Sequence, residues 1–161
     1  MDDSQIAETV RYVAVRRLQN RYADVVTRRA WPELAEVFLP DAVVELDTRT
    51  GAVLHLEGPT AVGEFIRDAV AAFEFFEFVI LTHRLELSGA GDEAQGRMYM
   101  CELRQEAGRF TVAYGVYHDR YREIDGRWWI AGRRYHSLAR SSADDARDLD
   151  VFDFPHHLRI D

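Results

Sequence analysis

Apolar positions in the first part of the chain recur every three to five residues: Ile6, Val10, Val13, Leu18, Tyr22 and Val25. That spacing predicts one amphipathic helix from Ser4 to about Arg29, with Ser4 as N-cap and Glu8 in its first turn. Pro32 suits an early position of a second, short helix, "WPELAEVFL", that stops before Pro40. "DAVVELDTRT" and "AVLHLEG" predict a hairpin around Thr50 and Gly51, and "GPTAVGEFIRDAVAAF" a third helix with Thr60 as a cap. From residue 75 the period changes to two. "FEFVILTHRLELSG", "EAQGRMYMCELRQE", "RFTVAYGVYHDRYREI" and "RWWIAGRRYHSLAR" read as long strands separated by turns at Gly89–Gly91, Gly108 and Asp125-Gly126. Four such strands in succession predict a strongly curved antiparallel meander with helices on its concave face.

Composition narrows the function classes. The chain has 161 residues, 47% of them hydrophobic, enough for one core. The net charge is −8 and every basic residue is arginine, so a phosphate-neutralising footprint for nucleic acid is not expected. A lone cysteine, Cys101, excludes an intramolecular disulfide and fits a reducing compartment. Neither a signal peptide nor a run of ~20 apolar residues is visible, so the expectation is a cytoplasmic protein with no membrane partner.

The order of helix, helix, hairpin, helix and four long strands resembles the nuclear transport factor 2-like superfamily over residues 4 to 140. Within it, "RYADVV", "VFLPDAVVEL", "LTHRLEL" and above all "GVYHDRYREIDGRWWI" are similar to the SnoaL-like polyketide cyclase and scytalone dehydratase group. The resemblance implies an α+β fold: a cone-shaped barrel of curved, mainly antiparallel sheet covered by three N-terminal helices. It would span residues 1–140, leaving 141–161 as an acidic spacer and aromatic tail. The group also implies a homodimer or higher homo-oligomer, and an apolar, ring-containing small molecule as partner.

Candidate chemistry follows from strand and helix alternation. On its strand, His83 shares a face with Val79, Leu81, Leu85 and Leu87, so one imidazole interrupts an apolar face. A core histidine satisfied for structural reasons would look the same. The resemblance makes His83 the catalytic candidate, because dehydratase relatives carry their histidine at this point. Tyr22 lies on the buried helical stripe, where relatives use a tyrosine hydroxyl toward substrate oxygen. Asp24 is turned to solvent, and Thr27 stands where dehydratase relatives have the aspartate that orients the histidine. Leu46 replaces the steroid-isomerase acid, with Asp47 on the other face. Glu102 or Arg104 would be the substitute partner of His83 if Met98 and Met100 face inward. Gly115 is expected to leave room for substrate and Tyr117 to supply a second hydroxyl. His118 and Asp119 point opposite ways; His136 is a further candidate, and Arg133 on the face opposite it matches a basic residue frequent in the group. Phe152 and Phe154 would close over bound ligand, as a comparable segment does in scytalone dehydratase. The adjacent His156-His157 lacks the spacing of a metal site, and neither a metal nor a cofactor is expected. Together these residues imply a cofactor-independent lyase or isomerase of dehydratase or cyclase type. It would abstract a proton beside a carbonyl with His83 and steady the oxyanion with Tyr22. The alternative is a non-catalytic small-molecule-binding or assembly module on the same fold.

Overall fold

A computed structural model describes residues 2–153. The first helix, α1 (Asp3–Thr27), starts two residues earlier than Ser4 would place it. Asp2 is the N-cap and forms a reciprocal capping box with Gln5, satisfying two otherwise orphaned donors. The helix buries Val15, Leu18, Gln19, Tyr22, Val25 and Val26, a stripe at three- and four-residue spacing confined to its second half. "WPELAE" forms a short 3-10 helix (Trp31–Glu36) rather than an α-helix. It is followed by strand β1 (Phe38–Asp47), which takes in Pro40, and by β2 (Leu54–Glu57). The second helix, α2 (Gly58–Val70), begins directly from β2 with Pro59 in its first turn, so Thr60 lies inside it rather than capping it.

The long strands follow: β3 (Phe75–Leu87), β4 (Glu93–Glu106), β5 (Arg109–Ile124) and β6 (Arg127–Ser141). The turns after β4 and β5 place Ala107-Gly108 and Asp125-Gly126 at positive φ, the two-residue geometry that matches strand twist. A short strand, β7 (Leu149–Val151), returns from the acidic segment to pair with the end of β6.

The sheet order is β2-β1-β6-β5-β4-β3, antiparallel except where β1 joins β6 in parallel. This corrects the barrel expected from the sequence. β2 and β3 remain separate edges, so the sheet is open. Closure requires the two edge strands to hydrogen-bond to each other, whereas β2 pairs with β1 and β3 with β4. The three expected helices are present as two α-helices and one 3-10 helix, and α2 follows the first hairpin, as the sequence pattern predicts. The core lies between these helices and one face of the sheet.

Candidate functional site

Three β-bulges decide which side chains meet under the helices. In β3, Leu81 is the extra residue between Ile80 and Thr82. Phe76, Phe78 and Ile80 therefore share the helix-facing side with His83, Leu85 and Leu87, and Leu81 is 55% exposed. In β6, the register against β5 shifts at Ala131 and again at Leu138. The first shift sets Arg133 opposite Asp119; without it Asp119 would face Gly132. The second carries Arg140 to the same face as Tyr135 and Ser137.

The Asp119 carboxylate is fully buried and accepts from Arg133 at two points, Nε at 2.7 Å and Nη2 at 2.8 Å. Its second oxygen also accepts from the Tyr121 hydroxyl at 2.8 Å. That hydroxyl accepts in turn from Gln19 of α1, and Gln19 accepts from Arg16. One polar chain thus bolts α1 to β5 and β6. The guanidinium is clasped between two rings, 4.1 Å from the centroid of Tyr22 and 4.0 Å from that of Tyr117. Burial acts to lower the Arg133 pKa, but Asp119 and the two tyrosines outweigh it and hold the group charged. Its Nη1 is buried without an acceptor among the described residues.

Beside this pair, a cavity of about 240 Å³ opens between α1, α2 and the sheet. Much of its wall is apolar, with Phe38, Leu46, Phe65, Ile66 and Phe78 among the contributors. Its polar groups include Tyr22, Tyr117, Tyr135, Arg133 and the Glu102–Arg104 pair. The Tyr22 and Tyr117 hydroxyls are 3.5 Å apart, longer than an ordinary O–H···O bond, so neither is fully engaged by the other. Burial raises the pKa of Tyr22, raises that of Tyr117 well above the ordinary phenol value, and pushes Tyr135 up to about 12. All three are neutral donors near pH 7. The Glu102 charge raises each of them further, which puts its carboxylate in electrical contact with the whole tyrosine cluster. Glu102 accepts from Arg104 Nε at 2.9 Å and again from its Nη2.

The candidate residues are thus split. Tyr22 and Tyr117 come together in the cavity. His83 lies on the helix-facing side but does not line the cavity. Its Nε2 bonds to the Tyr12 hydroxyl at 2.6 Å, under the first half of α1. Burial and then the nearby Arg16 charge lower its pKa, and among the described residues no carboxylate lies within 4 Å of the ring. Thr27 also stands outside the lining. Its hydroxyl accepts from the Phe78 backbone N–H at 3.1 Å and ties the end of α1 to β3. The space that Gly115 leaves is taken by Tyr135, whose ring would sit 2.2 Å from any Cβ there. Phe152 packs on the Arg140 guanidinium, 4.9 Å from ring centroid to Cζ. Phe154 and His156-His157 lie outside the described residues. His118 and His136 pack edge to face on the opposite side of the sheet. Among the described residues no group of three His, Cys, Asp or Glu is disposed to hold a metal ion, and no helix is long and apolar enough to cross a membrane.

Sequence reading missed the Asp119–Arg133 pair and the contributions of Tyr135, Ser137 and Arg140. Counting back from the Asp125-Gly126 turn brings Asp119 within one residue of Arg133, and the bulge supplies the rest.

Comparison with known proteins agrees with this architecture. A candidate scytalone dehydratase from Novosphingobium aromaticivorans DSM 12444 superimposes with a TM-score of 0.73 at 17% identity, over 84% of this chain and 89% of that one. Hexachlorocyclohexane dehydrochlorinase LinA-type3 from Novosphingobium barchaimii LL02 gives 0.71 at 16% identity, over 97% of each chain. The Kfla4162 protein of Kribbella flavida gives 0.73 at 15%, over 88% and 99%. At these identities the likeness establishes the fold. No curated protein matches the sequence. The model of the SnoaL-like domain matches residues 7–134, most of the chain, and the protein belongs to that family.

Proposed function

We propose that the cavity binds an apolar, ring-containing ketone and shifts a proton beside its carbonyl, as a cofactor-independent isomerase or dehydratase. The observation that carries this reading is a carboxylate, Glu102, sharing an otherwise largely apolar chamber with two under-engaged tyrosine hydroxyls and a buried guanidinium. In the reaction, the carbonyl oxygen takes hydrogen bonds from Tyr22 and Tyr117, bridging the gap between them. Glu102 accepts a proton from the adjacent carbon, and the C–H electron pair moves to form the enolate. Neutral hydroxyls and the fixed positive charge of Arg133 stabilise the new oxyanion in a poorly solvated site. The protonated Glu102 then returns its proton to another carbon, which isomerises the double bond. Alternatively it passes the proton to a departing β-hydroxyl, which leaves as water. The names of fold relatives, a dehydratase candidate and a dehydrochlorinase, denote eliminations and fit the second course.

This reading uses Glu102 rather than His83 as base, since the imidazole is engaged by Tyr12 away from the cavity. The test is loss of α-deuterium from deuterated 2-tetralone in ordinary water. Wild type is expected to exceed the spontaneous rate, and Glu102→Gln to lose about 10²-fold or more of that excess. His83→Ala is expected to keep it within a few-fold. Loss in His83→Ala with retention in Glu102→Gln reverses the assignment.

The second reading, a binding module without turnover, is favoured by one observation: the Glu102 carboxylate is already engaged by the Arg104 guanidinium. Binding of 2-tetralone with no exchange above background would establish it.

A further inference from the structure

Three arginines line the cavity, and two of them have carboxylate partners. Arg104 is paired with Glu102 and Arg133 with Asp119. Arg140 has none among the described residues. Its Nη2 donates to the Thr48 carbonyl, and its Nε is buried without an acceptor. Asp150 stands opposite it across the β6–β7 pair, yet the two make no ion pair. The site and its immediate support therefore carry one uncompensated positive charge, in a chain whose net charge is −8. Leaving a half-buried guanidinium without its full set of acceptors is costly, and a planar fork of donors is matched best by a carboxylate.

The surroundings hold Arg140 in position. Thr48 anchors one end of the guanidinium, and Phe152 covers its face. Phe152 is itself fixed by β7 and by its backbone N–H donating to the Leu138 carbonyl at 2.9 Å. Across the cavity, α2 and the segment after it present Val62, Phe65, Ile66 and Phe73. The α2 side is wholly apolar, and the charged groups of the lining all come from the sheet.

We infer that the natural ligand is a ring-containing monocarboxylate whose carboxylate is taken by Arg140 while its apolar body lies against α2. The inference rests on the cavity being the ligand site, as in the functional reading above, and adds the anionic group that reading leaves open. A keto acid would engage Arg140 at one end and the tyrosine pair at the other.

The test is equilibrium binding, by calorimetry at pH 7.5, of 2-naphthoate and its neutral isostere 2-naphthamide. Wild type is expected to favour the carboxylate by about tenfold or more. Arg140→Gln should bring 2-naphthoate down to the level of 2-naphthamide, and Arg140→Lys, which keeps the charge but not the fork, should retain part of the preference. Equal binding of the two probes by wild type overturns the inference. So does a preference that survives Arg140→Gln, or the binding of neither probe. Arg140→Lys reports folding independently of the lost charge. Because no turnover is read, failure of Glu102-dependent exchange leaves this result standing, and failure here leaves the exchange experiment interpretable.

Discussion

At the scale of single residues, the site depends on side chains that hold one another in place. Gly115 shows this most directly. Its missing Cβ is filled by Tyr135, whose hydroxyl sits 2.7 Å from where that carbon would be. Gly115→Ala must displace the ring, and overpacking of this kind costs about 1–3 kcal/mol; urea denaturation is expected to show a lower midpoint with an unchanged slope. An unaltered midpoint would mean that Tyr135 swings aside freely. Tyr22 was legible in the sequence because helical spacing alone makes it internal. The role of Gly115 was not, since only the cross-strand register shows whether a ligand or a neighbouring ring occupies the space. Thr27 is similar: the sequence places it at the helix end, but only the fold reveals that the Phe78 N–H needs its hydroxyl.

At the scale of elements, the bulges at Leu81, Ala131 and Leu138 are what strand alternation could not supply. Alternation correctly put Met98, Met100 and Glu102 on one face of β4, and all three face the interior or the cavity. It failed in β3, where the bulge at Leu81 moves Val79 and Leu81 away from the side shared by His83 and Leu85. A single inserted residue reverses every side chain beyond it. The bulge at Ala131 makes the Asp119–Arg133 pair, so the pair should be as intolerant of partial removal as buried ion pairs generally are. Asp119→Asn is expected to cost about 3–5 kcal/mol by leaving the guanidinium uncompensated. The double variant Asp119→Leu, Arg133→Met should cost measurably less than the sum of its parts in the same denaturation experiment. Additive costs would show that the two groups act independently.

At the scale of the whole molecule, the open sheet has two working faces. The helix-covered face holds the cavity, and the opposite face holds His118 and His136. His118 is 2% exposed. Burial, then the neighbouring His136 and Arg97, lower its pKa to about 4, while Asp119 pulls weakly the other way. The His136 and His83 values are lowered as well, with burial the leading cause in both. The unfolded chain therefore binds protons between about pH 6.5 and 4 that the folded chain does not, so stability is lost as pH falls through that window. A fall in Tm of roughly 5 °C or more between pH 7.5 and 4.5 is expected, and His118→Gln should reduce it. An identical fall in the variant would exclude His118 as a contributor. The open architecture itself was hidden from the sequence, because strand lengths and turns predict who pairs with whom but not whether the two outer strands meet.

In the proposed reaction, chemistry is organised around Glu102, Tyr22, Tyr117 and Arg133 rather than around His83. A crystal structure with 2-tetralone bound tests it most directly. The ketone oxygen is expected within about 3 Å of the Tyr22 or Tyr117 hydroxyl, with an α-carbon facing Glu102. A ligand oxygen bonded to His83 or Tyr12, or a ketone lying outside the cavity, would contradict it.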